Sequence, residues 1–154
     1  MNVSIALLAD HPEFIPELAA TFEREWSGWY GVHGDATADL HARARRAGFP
    51  IGLIAIENGH AIGTVTIAEH SAPSHPHLSP WLIGFFVEPE QRNQGIGSQL
   101  LKAAAAHARE EGFTRLYTST ATAARLFARE GWTKLDVGRS EGGEEVEIFV
   151  LDLG

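Results

Sequence analysis

Gly95 and Gly97 stand two residues apart in the run QRNQGIGS, residues Gln91 to Ser98, between an apolar segment and an alanine-rich one. A helix that starts here exposes N–H groups with no partner inside the helix. It also carries about half a positive charge at that end, so it holds an anion without needing a lysine. Glycine removes side chains that would keep a ligand off the backbone, and it permits positive φ. The chemistry that suits such a junction is the binding of a pyrophosphate. Spacing narrows the choice. A P-loop needs Gly-x-x-x-x-Gly-Lys-Ser/Thr, and here Ser98 follows Gly97 with no lysine between them. A dinucleotide fingerprint needs a third glycine at position 100, which is Leu100, and it follows the first strand of its unit, not the fourth.

The elements that must position this loop are readable from period and punctuation. Val3 to Leu8 reads as a strand, and a helix follows in which Asp10 is the expected cap and Pro12 sits in the first turn. Ile15, Leu18, Ala19, Phe22 and Trp26 form one apolar helical face. Ser27 to Gly34 breaks that helix with three glycines, and a second helix is expected from Asp35 to Ala47. Ile51 to Glu57 and Ala61 to Glu69 read as strands joined at Asn58-Gly59, a strong hairpin signal. After a proline-rich loop, Trp81 to Val87 is a near-continuous apolar run, as in a strand covered on both faces. Ile96, Leu100, Ala104 and Ala108 then repeat at helical spacing up to Gly112. Leu116 to Ser119 reads as a strand, Thr122 to Glu130 as a helix, and Trp132 to Val137 with Val146 to Leu153 as a closing hairpin. One domain over residues 1–154 is expected. Its class is α+β, of α/β-sandwich type: a mixed, mostly antiparallel sheet of six to seven strands flanked by about four helices.

Arg92-Asn93-Gln94-Gly95-Ile96-Gly97 resembles the Arg-x-x-Gly-x-Gly motif of the GNAT superfamily of acyl-CoA N-acyltransferases. Val87-Glu88-Pro89-Glu90 precedes it as the family's Val-x-Pro-Glu segment does. Ala123, Leu126, Phe127, Gly131 and Trp132 match a second, C-terminal pattern, so the resemblance is specific over about residues 80–135. It implies a GNAT-like fold and transfer of an acetyl group from acetyl-CoA, as cosubstrate, to a primary amine of a small molecule or peptide. The amine would attack the thioester directly, so no protein nucleophile is needed. The implied cofactor contacts are Phe85, Phe86 and Val87 on the strand, Arg92, Asn93, Gln94, Gly95, Ile96, Gly97 and Ser98 on the loop, and Thr120 and Phe127 beyond it. A backbone N–H around Phe85 to Val87 would polarise the thioester carbonyl.

Two positions depart from the family pattern. Phe127 stands where a tyrosine is usual, so the hydroxyl that would serve the leaving thiolate is missing; such general-acid help is worth about 10²–10⁴-fold. Thr120 stands near a frequent asparagine. Phe127, together with a general base that the motifs do not identify, favours the alternative: an acyl-CoA-binding sensor or regulatory module with little or no turnover.

For the general base the expectation is Glu69, with His70, His75 and His77 as alternatives. Those histidines, with no cysteine or ordered carboxylate beside them, read as exposed loop residues and not as a metal site, so no metal is expected. Trp29 and Tyr30, between glycines, are the candidates to line the acceptor pocket, whereas Trp26 continues the core stripe. The basic run Arg43 to Arg46 reads as a solvated helix face. A net charge of −8 argues against nucleic acid as a partner, and no span for a membrane is seen. With no cysteine in the chain, a cytoplasmic location is expected, and a homodimer through the C-terminal strands is allowed.

Overall fold

The computed structural model describes residues 2–154 and contains one seven-stranded sheet with strand order β1-β2-β3-β4-β5-β7-β6. The strands are β1 (Ser4–Leu7), β2 (Ile51–Glu57), β3 (His60–Ala68), β4 (Trp81–Val87), β5 (Arg115–Thr120), β6 (Thr133–Arg139) and β7 (Glu145–Asp152). Every neighbouring pair is antiparallel except β4 with β5, where a helical crossover forces the parallel direction. The helices are α1 (Ile15–Glu25), α2 (Ser27–Tyr30), α3 (Ala36–Arg43), α4 (Ile96–Glu110) and α5 (Ala124–Arg129). The mixed sheet and the order of elements match the expected α+β class.

Helices cover both faces. Crossover helix α4 lays Ile96, Leu100, Leu101, Ala104 and Ala108 on one face, against Leu53, Ala55, Val65, Ile67 and Leu82. Its alanines let it sit close, and Gly63 beneath it would bring an added Cβ to 3.0 Å from Leu100. On the opposite face, Leu18 and Phe22 of α1 and Leu40 of α3 pack with Leu8, Ile54 and Ala61. The Asn58-Gly59 turn has positive φ at both residues, 52° and 75°, the conformation a tight hairpin demands.

Three local expectations are corrected. Asp10 does not cap α1; its carboxylate pairs with Arg46, and two short 3₁₀ turns, Leu8–Asp10 and Pro12–Phe14, lead into a helix that starts at Ile15. The glycine-rich break after α1 holds one helical turn, α2, because Trp26 accepts from the N–H groups of Trp29 and Tyr30. The second predicted helix stops at Arg43, four residues short, and Asp35 caps its start through hydrogen bonds from Thr37 and Ala38.

Leu100 is fully buried where α4 crosses the sheet. Leu100→Ala should therefore destabilise the fold by about 2–5 kcal/mol. Urea denaturation checks this, and a loss under about 1 kcal/mol would mean that α4 is not the helix that closes this face.

Candidate functional site

β4 and β5 are paired only at Trp81 with Tyr117 and Leu82 with Thr118. From Ile83 onward β4 has no partner on that side, so the sheet forks and the main-chain edge of residues 83–87 lies open. The opposite edge of β4 still pairs with β3 but carries one extra residue. Thr66 faces Ile83 and Thr64 faces Phe86, so Val65 spans both Gly84 and Phe85. A bulge of this kind bends a strand and re-aims its side chains. Gly84 takes φ of +61° there, a conformation that favours glycine.

A cavity of about 430 Å³ fills the fork on the α4 side. Phe85, Phe86 and Val87 wall it on the strand, the loop contributes Arg92, Asn93, Gly95, Ile96, Gly97 and Ser98, and Ala123, Leu126 and Arg129 close it across the gap. The loop is held in three ways. Gly95 adopts φ of +80° and Asn93 +65°, which turns the chain sharply into α4. Arg92 donates from Nε to the carbonyl of Val87 at 2.8 Å and lies 5.5 Å from the Phe86 ring, tying the loop to its strand. Gly97 lies so close to Phe85 that a Cβ would sit 2.9 Å from Cζ of that ring. The two glycines therefore do different work: Gly95 supplies the turn, and Gly97 lets Phe85 pack under the helix.

The first helical bond at this end runs from the N–H of Gln99 to the carbonyl of Gly95, at 3.1 Å. The N–H groups of Ile96, Gly97 and Ser98 precede it, and no side chain caps them. They are unpaired donors at the helix start where the spacing predicts an anion-binding end. Ser98 turns its hydroxyl away from them and donates it to Glu130 at 2.8 Å. Glu130 and Arg129, both on the cavity wall, carry no signal in the sequence that marks them as site residues.

The remaining candidates fall elsewhere. Gln94 is exposed and does not line the cavity. Phe127 is buried beneath it, 6.1 Å from Phe85 and 5.4 Å from Trp132 between ring centroids, so it supports the wall without forming it. Thr120 caps the entry to α5, its hydroxyl accepting from the N–H groups of Thr122 and Ala123. Trp29 stacks on His33, and Tyr30 on Phe22, away from this cavity. Burial pushes the Tyr30 phenol up to about 12, against the opposing pull of the Arg43 guanidinium.

On the other face of the fork lies a cavity of about 310 Å³, walled by Asp39, Arg43, Phe49, Glu69 and Ile83. Glu69 is at its rim with an exposed carboxylate, 3.9 Å from His70. Arg43 corrects the reading of a solvated basic run. Arg45 and Arg46 are exposed, but Arg43 turns inward, 5.1 Å over the Phe22 ring, and donates from Nη1 to the Thr66 hydroxyl at 2.9 Å. Burial lowers its pKa, partly offset by Tyr30 and Asp39. Nor is His75 a free loop residue: it is largely buried and pairs with Asp136 at 2.8 Å, which holds that carboxyl below its usual range. Among the described residues no group of three or more His, Cys, Asp or Glu is placed to hold a metal, and no helix is long and apolar enough to cross a membrane.

A family model described as the acetyltransferase (GNAT) family matches residues 17–132. No curated protein matches the chain. Among solved structures, an aminoglycoside 6'-N-acetyltransferase complexed with coenzyme A superposes with a TM-score of 0.79 at 12% identity, covering 100% of this chain and 98% of that one. A GNAT-family acetyltransferase from Streptococcus pneumoniae gives 0.70 at 20% identity over 98% and 99%. The yncA protein from Salmonella typhimurium, solved with its cofactor acetyl-CoA, gives 0.69 at 19% over 99% and 94%. At these identities the likeness is one of fold.

Gly97→Ala forces Phe85 to move, because its ring sits where the new methyl must go. A loss of roughly 1–3 kcal/mol is expected from such overpacking. Urea unfolding measures it, and an unchanged midpoint would show that the ring does not lock the loop.

Proposed function

The chain belongs to the GNAT acetyltransferase family, and from that premise we propose that it transfers an acetyl group from acetyl-CoA to a primary amine of a small molecule or peptide. The observation that carries this reading is the fork itself, which joins an open strand edge to an uncapped helix start within one cavity. The residues present fit the cosubstrate. The N–H groups of Ile96, Gly97 and Ser98 would hold its pyrophosphate, and the free edge of Phe85 to Val87 would pair with its pantetheine arm. Arg92, Asn93 and Gly95 keep the loop in the shape that presents those donors. Acetyl-CoA, when bound, supplies an activated thioester.

The chain's own residues then orient, polarise and accept a proton. A β4 N–H beside the bulge would donate to the carbonyl oxygen as negative charge grows on it. The amine must arrive deprotonated, and we assign the proton to Glu69, whose carboxylate borders the cavity on the opposite face, reached past Ile83. Phe127 offers no hydroxyl to the departing thiolate. Water, or the Thr120 hydroxyl, whose proton no group among the described residues accepts, takes that part. Trp29 and Tyr30 belong to this proposal only as outer walls of the acceptor side, since neither borders the 310 Å³ cavity. The aminoglycosides named for one structural neighbour are not carried over, because at 12% identity the likeness is one of fold. For assembly, we propose a homodimer through the outer edge strand β6, which leaves Leu135 and Val137 exposed.

Calorimetric titration with acetyl-CoA tests the cosubstrate, comparing wild type with Ser98→Asp. A carboxylate at a helix start favours the helix, which offsets in part the lost hydrogen bond to Glu130 and the repulsion between the two carboxylates, so a parallel melting curve should show the variant folded with only a small drop in Tm. It should nevertheless bind acetyl-CoA at least about tenfold more weakly, by charge repulsion at the phosphate site. Equal affinity would remove the cosubstrate from this loop. Thiol release across a panel of amines then separates the two readings: release supports transfer, and binding without release supports a sensor that holds acyl-CoA.

A further inference from the structure

We propose that the acceptor is an amino carboxylate, of the size of a free α-amino acid, and that Arg43 recognises its carboxylate. The inference rests on the acetyl-transfer reading for the fate of the amine, but not for the binding of the carboxylate. Arg43 ends α3 and points into the cavity on the face of the fork opposite the phosphate loop. Ile83, on the same wall, is the first residue of β4 past its last pairing with β5, so whatever occupies this cavity lies against the mouth of the fork.

No carboxylate among the described residues lies within ion-pair distance of the guanidinium, although Asp39 acts on it from farther off. Among the described residues its only side-chain hydrogen bond is to the neutral Thr66 hydroxyl, and it makes no ion pair, whereas Arg24 and Arg46 on the surface both do. A cation partly withdrawn from water with no carboxylate bonded to it carries a desolvation cost, which a ligand's carboxylate would offset. The backbone is shaped to admit it. Gly84, at the bulge, sits so that an added Cβ would be 3.0 Å from Arg43 Nη1, and a side chain there would press on the guanidinium. The remaining charge on the walls is negative, from Asp39 and Glu69. One half-buried cation with two carboxylates around a small cavity is the complement of a zwitterion. The acceptor's carboxylate meets Arg43 in the planar fork geometry that guanidinium favours, and its ammonium meets the acids before giving up a proton. A polyamine would place positive charge against Arg43 instead.

The test pairs each amino acid with its decarboxylated amine: phenylalanine with phenethylamine, methionine with 3-(methylthio)propylamine. Spermidine serves as the polycation. In thiol-release assays with acetyl-CoA, at least one amino acid should exceed its amine roughly 10- to 100-fold in kcat/KM. Arg43→Met keeps the apolar stem over Phe22, and in it that ratio should fall to about one; Arg43→Lys should be intermediate. Acetyl-CoA affinity of each variant reports whether it has folded. Calorimetry of the same amino acids with CoA-loaded protein reads the carboxylate site without turnover. Binding lost in Arg43→Met but present in wild type supports the inference even if no acetyl group is transferred, and then it is the transferase reading that falls. Turnover of amines with no preference for the carboxylate, a preference that survives in Arg43→Met, or no binding of any amino acid overturns the inference, and the first two leave acetyl transfer standing.

Discussion

Neighbouring strands must stay about 4.8 Å apart to exchange hydrogen bonds, and β4 and β5 do so over only two residues. Everything that can do chemistry follows from their parting after Leu82. A parallel pair needs a crossover, and here the crossover is α4, whose start must sit above the C-terminal end of β4. The fork thus opens at the same point where the helix exposes its unpaired N–H groups. One topological fact brings an open strand edge and an uncapped helix start to the same place.

The bulge at Gly84 and Phe85 makes the fork two-sided. Without the extra residue, β4 would keep a strict alternation from Leu82 to Val87. With it, Phe85 drops under the start of α4 and Phe86 turns to the other face, where Trp26 meets its ring edge-on at 6.3 Å. Arg24 and Arg92 both lie near the Phe86 ring as well, at 6.0 and 5.5 Å, and Arg24 also pairs with Glu88. The loop is therefore clamped from both faces of the sheet, which keeps a glycine-rich turn in one shape. A rigid glycine loop beside an open strand edge would lose little entropy on binding a ligand.

The two faces differ in electrostatic character. The α4 side offers backbone dipoles and arginines, with one carboxylate, Glu130, occupied by Ser98. The α3 side sets a single inward cation among acids. Under the proposed function, such an arrangement would separate the binding of a polyanion from the selection of a smaller molecule, so each side could be altered without rebuilding the other.

The sequence by itself determined the elements and the loop. Trp81 to Val87 is apolar throughout because both faces of β4 are covered, and its predicted limits are those observed. The Asn58-Gly59 turn and the four-residue period of α4 are equally local, since each depends on conformational preferences within a few residues. The Arg-x-x-Gly-x-Gly spacing was legible for the same reason: a helix start and its preceding turn are encoded next to one another. What only the tertiary structure decided depends on pairs distant in the chain. Gly97 looked like a glycine reserved for a ligand, yet its closest constraint is Phe85, twelve residues earlier on another element. Phe127 looked like a cavity residue and is part of the core. Arg43, in a run of arginines that reads as solvated, turns inward because α3 ends beside Thr66 and because Gly84 leaves room for it. Local preference fixes where a chain turns; which face of the sheet a side chain meets depends on packing between elements, and no short stretch of sequence contains that.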